Sequence, residues 1–234
     1  PAVRVSSLGK ERGSSRVARL IRYQLLLWRN LRDADGVFFH MCPEYVLGAH
    51  FLPRIFCRKT VLWYVHKEVS WRLWLAEKLV DAIFTASKKS CRLQSKKIEV
   101  VGHGIDTELF SGPRVIEDGL HLVTVGRISP VKDVRTLILG FLELKKRFPE
   151  AAFSIVGESV TDSDRAYLEE LRGISSHVRF LGGVSRGELP RLLRAAEVFV
   201  HASKTGSMDK AVLEALASGL PVFTSSEAFT EDMG

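Results

Sequence analysis

From residue 120 onward the chain alternates between short apolar runs that stop at glycine and longer segments of helical spacing. His121 to Val125, stopped by Gly126, reads as a buried strand. Asp133 to Arg147 places Val134, Leu137, Ile138, Phe141 and Leu144 on one face with charges opposite, a helix that Pro149 ends. Phe153 to Val156, before Gly157, is the next strand, and a polar helix follows from about Asp164 to Arg172. Val178 to Leu181 is a strand closed by Gly182-Gly183. A helix from about Gly187 to Ala196, a strand from Val198 to His201, a helix from Lys210 to Ala217 ended by Gly219, and a strand from Val222 to Thr224 complete the series. Strand and helix alternating at this spacing imply an α/β fold, a parallel sheet with helices on both faces.

The first half follows the same plan less regularly. Ser14 to Arg32 has helical spacing, with Val17, Leu20, Ile21 and Leu25 expected inside and Arg16, Arg19, Arg22 and Arg29 outside. Gly36 to His40, Thr60 to His66, Ala82 to Ala86 and Glu99 to Val101 are strand candidates, and Trp71 to Leu79 is a helix between two of them. Phe110-Ser-Gly-Pro113 has linker chemistry, which divides the chain into domains over residues 1–112 and 113–234. The total of 234 residues accommodates one large domain or two modest ones. The chain opens at Pro1 without an apolar signal region and stops in loop-like chemistry at Gly234, so both ends read as cut.

Charge separates the halves. Residues 1–110 carry 19 basic and 10 acidic side chains, residues 111–234 carry 15 and 17. The basic excess suits phosphate, anionic lipid or nucleic acid, and equally a solvated surface. Three cysteines leave one unpaired in any disulfide scheme and lack metal-site spacing, which favours a reducing, cytoplasmic setting. No apolar run approaches the roughly 20 residues needed to span a bilayer.

In open parallel sheets ligands sit beyond the carboxyl ends of the strands, so residues just after each strand carry the chemistry. Gly126 allows close backbone approach there, and Arg127 and Lys132 add positive charge beside the start of a helix, a candidate diphosphate site. Thr205-Gly206-Ser207 is a flexible turn after the Val198–His201 strand, and Ser207 or Asp209 can cap the helix that begins at Lys210. Glu214, one turn into that helix, can accept hydrogen bonds from vicinal hydroxyls such as a ribose; an ordinary exposed glutamate is the alternative. His66, His40 and His103 each end a strand candidate, and His66 is the one favoured as an acid/base or hydroxyl ligand.

Absent motifs narrow the field. No G-x-G-x-x-G follows a strand, no G-x-x-x-x-G-K-[ST] is present, and no zinc-like Cys/His cluster appears. Lys88-Lys89 and Lys96-Lys97 lack interleaved aromatics, which disfavours nucleic acid as a partner.

Val125-Gly-Arg-Ile-Ser-Pro-Val-Lys-Asp133, Phe153-Ser-Ile-Val-Gly157, Val178-Arg-Phe-Leu-Gly182 and Leu213-Glu-Ala-Leu-Ala-Ser-Gly-Leu-Pro-Val222, in that order, resemble the family 4 retaining glycosyltransferases of GT-B fold. Val101-Gly-His-Gly-Ile-Asp-Thr-Glu-Leu-Phe110 resembles that family's hinge motif, with His103 where Asn is commoner. The resemblance implies two Rossmann-like domains with parallel sheets, both incomplete, and transfer of a sugar from a nucleotide-sugar donor, UDP- or GDP-linked, to an acceptor hydroxyl, the acceptor being a glycan or lipid-linked molecule. It implies no cofactor and no metal, since Arg127 and Lys132 would neutralise the departing diphosphate. Arg127, Lys132 and His66 take the catalytic roles by resemblance. Gly126, Gly206, Ser207, Lys210 and Glu214 join Arg127 and Lys132 around the donor. The family pairs Glu214 with a second glutamate eight residues earlier, where this chain has Gly206. That departure raises the alternative of a degenerate nucleotide-binding or scaffold protein. A cytoplasmic protein, in peripheral contact with the inner face of the membrane through its basic half, completes the expectation.

Overall fold

Two parallel sheets carry the chain. The computed structural model describes residues 4–49, 51–115, 119–204 and 208–229. Two units divide between Val101 and Gly102. The division falls ahead of the linker at Phe110–Pro113 because a short helix, α5 (Thr107–Phe110), buries Phe110 in the core of the second unit.

In the first unit, α1 (Arg16–Asn30) precedes β1 (Gly36–His40), and two helices, α2 (Pro43–Ala49) and α3 (Leu52–Ile55), lead to β2 (Lys59–Trp63). Then α4 (Trp71–Leu79), β3 (Ala82–Thr85) and β4 (Ile98–Val100) follow. The sheet order is β1-β2-β3-β4, all parallel, with Leu62 and Ile83 fully buried between strands and helices. Ser15 and Ser70 cap α1 and α4, their hydroxyls accepting from the Ala18 and Leu73 N–H groups at 3.2 and 3.3 Å.

Two expectations are corrected here. The first concerns the buried side of α1. Val17, Leu20, Ile21 and Leu25 are all more than half exposed, at 67, 52, 55 and 59%. The helix packs instead through Tyr23 and Leu27. The Tyr23 ring meets that of Tyr45 at a tilt of 60° with centroids 5.1 Å apart, its hydroxyl donates to the Tyr45 carbonyl, and Gln24 donates to the carbonyl of Gly48. Periodicity identified an amphipathic helix correctly, but α2 meets only the neighbouring stripe. The second concerns His66. Strand β2 ends at Trp63 because its neighbour β1 ends opposite, at His40, and the last sheet hydrogen bond is from Tyr64 N–H to the Phe84 carbonyl. His66 therefore stands beyond the strand, in an exposed loop.

The second unit holds β5 (His121–Val125), α6 (Val134–Arg147), β6 (Ala152–Val156), α7 (Asp162–Ile174), β7 (Val178–Gly182), α8 (Leu189–Arg194), β8 (Val198–His201), α9 (Lys210–Ala217) and β9 (Val222–Thr224). Its parallel sheet runs β7-β6-β5-β8-β9. Alternate strand residues serve opposite faces. Leu122, Phe153, Ile155 and Val178 pack with Ile138, Phe141 and Leu171 of α6 and α7, whereas Val123, Val156 and Phe199 pack with Leu193, Val212 and Ala215 of α8 and α9. Helices thus cover both faces, the doubly wound arrangement. Helix α7 starts two residues earlier than its apolar pattern suggests because Thr161 forms a capping box with Asp164, each side chain meeting the other's N–H at 3.1 Å.

Candidate active site

Strand order decides where a ligand can lie in the second unit. The chain leaves β5 for β6 on one side and returns to pair β8 on the other, so β5 and β8 diverge at a topological switch point. Gly126 and Arg127 follow β5, and Ala202 follows β8. Arg127, Lys132 and His201 line one small hollow there.

The strand ends are stitched tightly. The N–H of Gly126 donates to the Val156 carbonyl at 2.9 Å, and that of Gly157 donates to the Gly182 carbonyl at 2.8 Å. Gly157 has φ +148°, and a Cβ there would run into the Gly126 carbonyl oxygen. Only glycine permits this approach. Beside it, a cleft of about 460 Å³ opens along the ends of β5, β6 and β7, lined by Gly126, Arg127, Gly157, Glu158, Gly183 and Val184 among others.

Arg127 is exposed at the mouth. Lys132 closes a single-turn 3-10 helix, Pro130–Lys132, after which Asp133 at φ +44° turns the chain into α6. Its ammonium donates to both oxygens of Asp209 at 2.7 Å, with each side chain only 20% exposed. Asp209 in turn lies 2.8 Å from His201 Nε2, and His201 Nδ1 lies 2.8 Å from Thr224 Oγ1. Burial works to raise the Asp209 carboxyl, yet the hydrogen bonds from His201 and Lys132, with the Lys132 charge, hold it below its ordinary value. Of the two cap candidates, Asp209 occupies the cap position of α9 without capping it, because both its oxygens are drawn towards Lys132 and His201.

Glu214 stands one turn into α9, half-buried, one turn after the exposed Lys210. Burial pushes its carboxyl up, against the opposing charges of Arg186 and Lys210. A charged Glu214 therefore costs stability once the pH rises above the ordinary carboxylate range, and the cost is absent where the group is protonated. Glu214→Gln is expected to raise Tm at neutral pH and to lose that advantage towards acid pH, as thermal melts across pH will show. A partner able to donate hydrogen bonds to the carboxylate relieves the same cost.

His103 lies near this cluster. Burial, then the Lys210 charge, hold its imidazole below the ordinary histidine value. Gly206 and Ser207 lie outside the described residues. In the first unit His66 is exposed, with its Nδ1 accepting from the Glu68 N–H at 3.2 Å and its ring edge-on to Tyr64. Sequence reasoning missed His201 as a site residue and did not pair Asp209 with Lys132. A histidine at a strand end followed by an aspartate at the next helix start was the available signal.

The model of the glycosyl transferases group 1 matches residues 106–233, more than half of the chain. The chain belongs to the group 1 glycosyltransferases. Among curated group 1-like relatives, the alpha-monoglucosyldiacylglycerol synthase of Acholeplasma laidlawii is 31% identical over 117 residues, 47% of this chain and 29% of that protein. The GDP-mannose-dependent alpha-(1-6)-phosphatidylinositol monomannoside mannosyltransferase of Mycobacterium tuberculosis is 30% identical over 148 residues, 53% of this chain and 37% of that protein. The matches thus span well under half of those relatives. Anabaena Alr3699/HepE, solved in complex with UDP-glucose, aligns with a TM-score of 0.68 at 17% identity, over 94% of this chain and 65% of that one. This likeness establishes the GT-B fold. Among the described residues no helix is long and apolar enough to cross a membrane.

Proposed function

We propose that this glycosyltransferase family member binds the diphosphate of a nucleotide sugar at the ends of β5 and β8 and transfers the sugar, with retention, to an acceptor hydroxyl. The observation that carries the reading is the placement of Arg127 and Lys132 at the switch point. Breaking a glycosyl–phosphate bond puts negative charge on the leaving diphosphate, and fixed cations there lower the barrier. Glu214 is suited to the ribose hydroxyls, and the cleft along Gly157 and Gly183 has room for a base. The UDP-glucose complex of the Anabaena protein and the GDP-mannose dependence in the mycobacterial name support a UDP- or GDP-linked donor. His66 is assigned to the acceptor side by resemblance, beside the transferred sugar. The basic first unit suits a glycan or lipid-linked acceptor, held at an anionic membrane surface.

A second reading, nucleotide binding without transfer, draws on Gly206 standing where the family has glutamate. One experiment separates the two. The protein is melted with UDP-glucose, GDP-mannose, UDP and GDP, and nucleotide release is then followed with acceptor mixtures. A ligand that binds only the native state raises Tm by mass action. A shift with turnover is the expected result; a shift without turnover favours the second reading, and no shift with any nucleotide overturns both.

A further inference from the structure

The Lys132 ammonium, the cation best placed inside the hollow, is not idle. It spends two hydrogen bonds on one carboxylate, both at 2.7 Å. That carboxylate is itself fixed, through His201 Nε2 on β8 and then Thr224 on β9, each contact at 2.8 Å. With only 20% exposure on either side, water screens the pair weakly. The charges of Lys132 and Asp209 cancel, whereas Arg127 is exposed at the mouth, where its charge acts on the Asp164 carboxylate.

We propose that Asp209 is a built-in counter-ion of Lys132, which holds the ammonium in position and weakens the binding of every diphosphate at this site, product included. The proposal rests on reading this end of the sheet as the diphosphate site. An incoming diphosphate must take the ammonium from Asp209 and then sit close to a carboxylate that His201 keeps in place. Both effects oppose binding, and both follow the charge of Asp209 rather than its shape. The consequence for turnover is easier departure of the nucleoside diphosphate after transfer.

The test uses Asp209→Asn, which keeps the shape and an acceptor for His201 while removing the charge. Calorimetry with UDP, GDP and inorganic pyrophosphate is expected to show binding about tenfold tighter than in the unaltered protein, the scale of one charge removed from a part-buried site. Without Lys132 the carboxylate faces the ligand unneutralised, so Asp209→Asn in a Lys132→Met background is expected to give a gain at least as large, and no gain there overturns the opposition of the carboxylate to the ligand. Unchanged or weaker binding by Asp209→Asn, with the parent protein still binding, overturns the counter-ion role and leaves the donor site standing. Failure of both proteins to bind any of the three ligands overturns the site reading and the proposal together. A second measurement needs no variant. The carboxyl 13C signal of Asp209 is expected to shift as pyrophosphate saturates the unaltered protein, and a signal that stays fixed at saturation overturns the displacement.

Discussion

Lys132→Ala is expected to weaken UDP or GDP binding by roughly a hundredfold, close to 3 kcal/mol. One part is the lost charge-assisted contact with the diphosphate. The other is the Asp209 carboxylate, which loses its bidentate partner and then faces the ligand uncompensated. Arg127→Ala is expected to cost less, about tenfold, because its guanidinium is exposed and the Asp164 carboxylate on which its charge acts stays tied to the Thr161 N–H. Calorimetry on the two variants ranks them, and a reversed order would show that the diphosphate is gripped from the mouth rather than from the hollow. Transfer should fall further than binding in both, since charge on the leaving diphosphate grows towards the transition state.

Gly157→Ala is expected to be the most damaging single methyl in the second unit. Its φ of +148° is strained for any L side chain, and the added carbon would meet the backbone oxygen of Gly126, which cannot swing aside. Strain and overpacking together make a loss of about 4 kcal/mol. Denaturant unfolding measures it, with Gly140→Ala as the control. Gly140 is exposed within α6 with nothing within 4 Å of its Cβ position, so alanine there should stabilise by about 1 kcal/mol. Equal stability of Gly157→Ala and the parent would mean that the ends of β5 and β6 are not pressed together as described. Any surviving Gly157→Ala protein should also bind nucleotide poorly, because Arg127 hangs from the displaced turn.

Much of this was legible in the residues. The strands of the second unit are short apolar runs cut off by glycines, and glycine is required at several of those ends for backbone reasons, so sequence and structure agree there almost residue for residue. Helices were harder to bound. The start of α7 is set by the Thr161–Asp164 box and not by apolar spacing, and α8 is shorter than its pattern because its first turn begins only at Leu189. The outward stripe of α1 could not be read at all: periodicity gives an apolar face, but which element meets it is a tertiary fact. In the site, Arg127 and Lys132 were visible as bases after a strand. Their difference was not, because it depends on Asp209, 77 residues from Lys132, and on a histidine that looked like the last residue of an ordinary strand.

The sheet order has a further consequence for how the chain reaches its working form. Strands β5, β6 and β7 are neighbours both along the chain and in space, and can assemble as a local unit. Pairing of β5 with β8 comes only after α6, α7 and α8 have been traversed, since Leu122 meets Val198. Contacts of such long sequence separation close slowly, because the loop entropy is spent before the contact is made. Lys132 comes from the early part and Asp209, His201 and Thr224 from the late part. The charge network is thus a marker of completed folding, and diphosphate binding followed during refolding would time the moment at which the two halves of the sheet join.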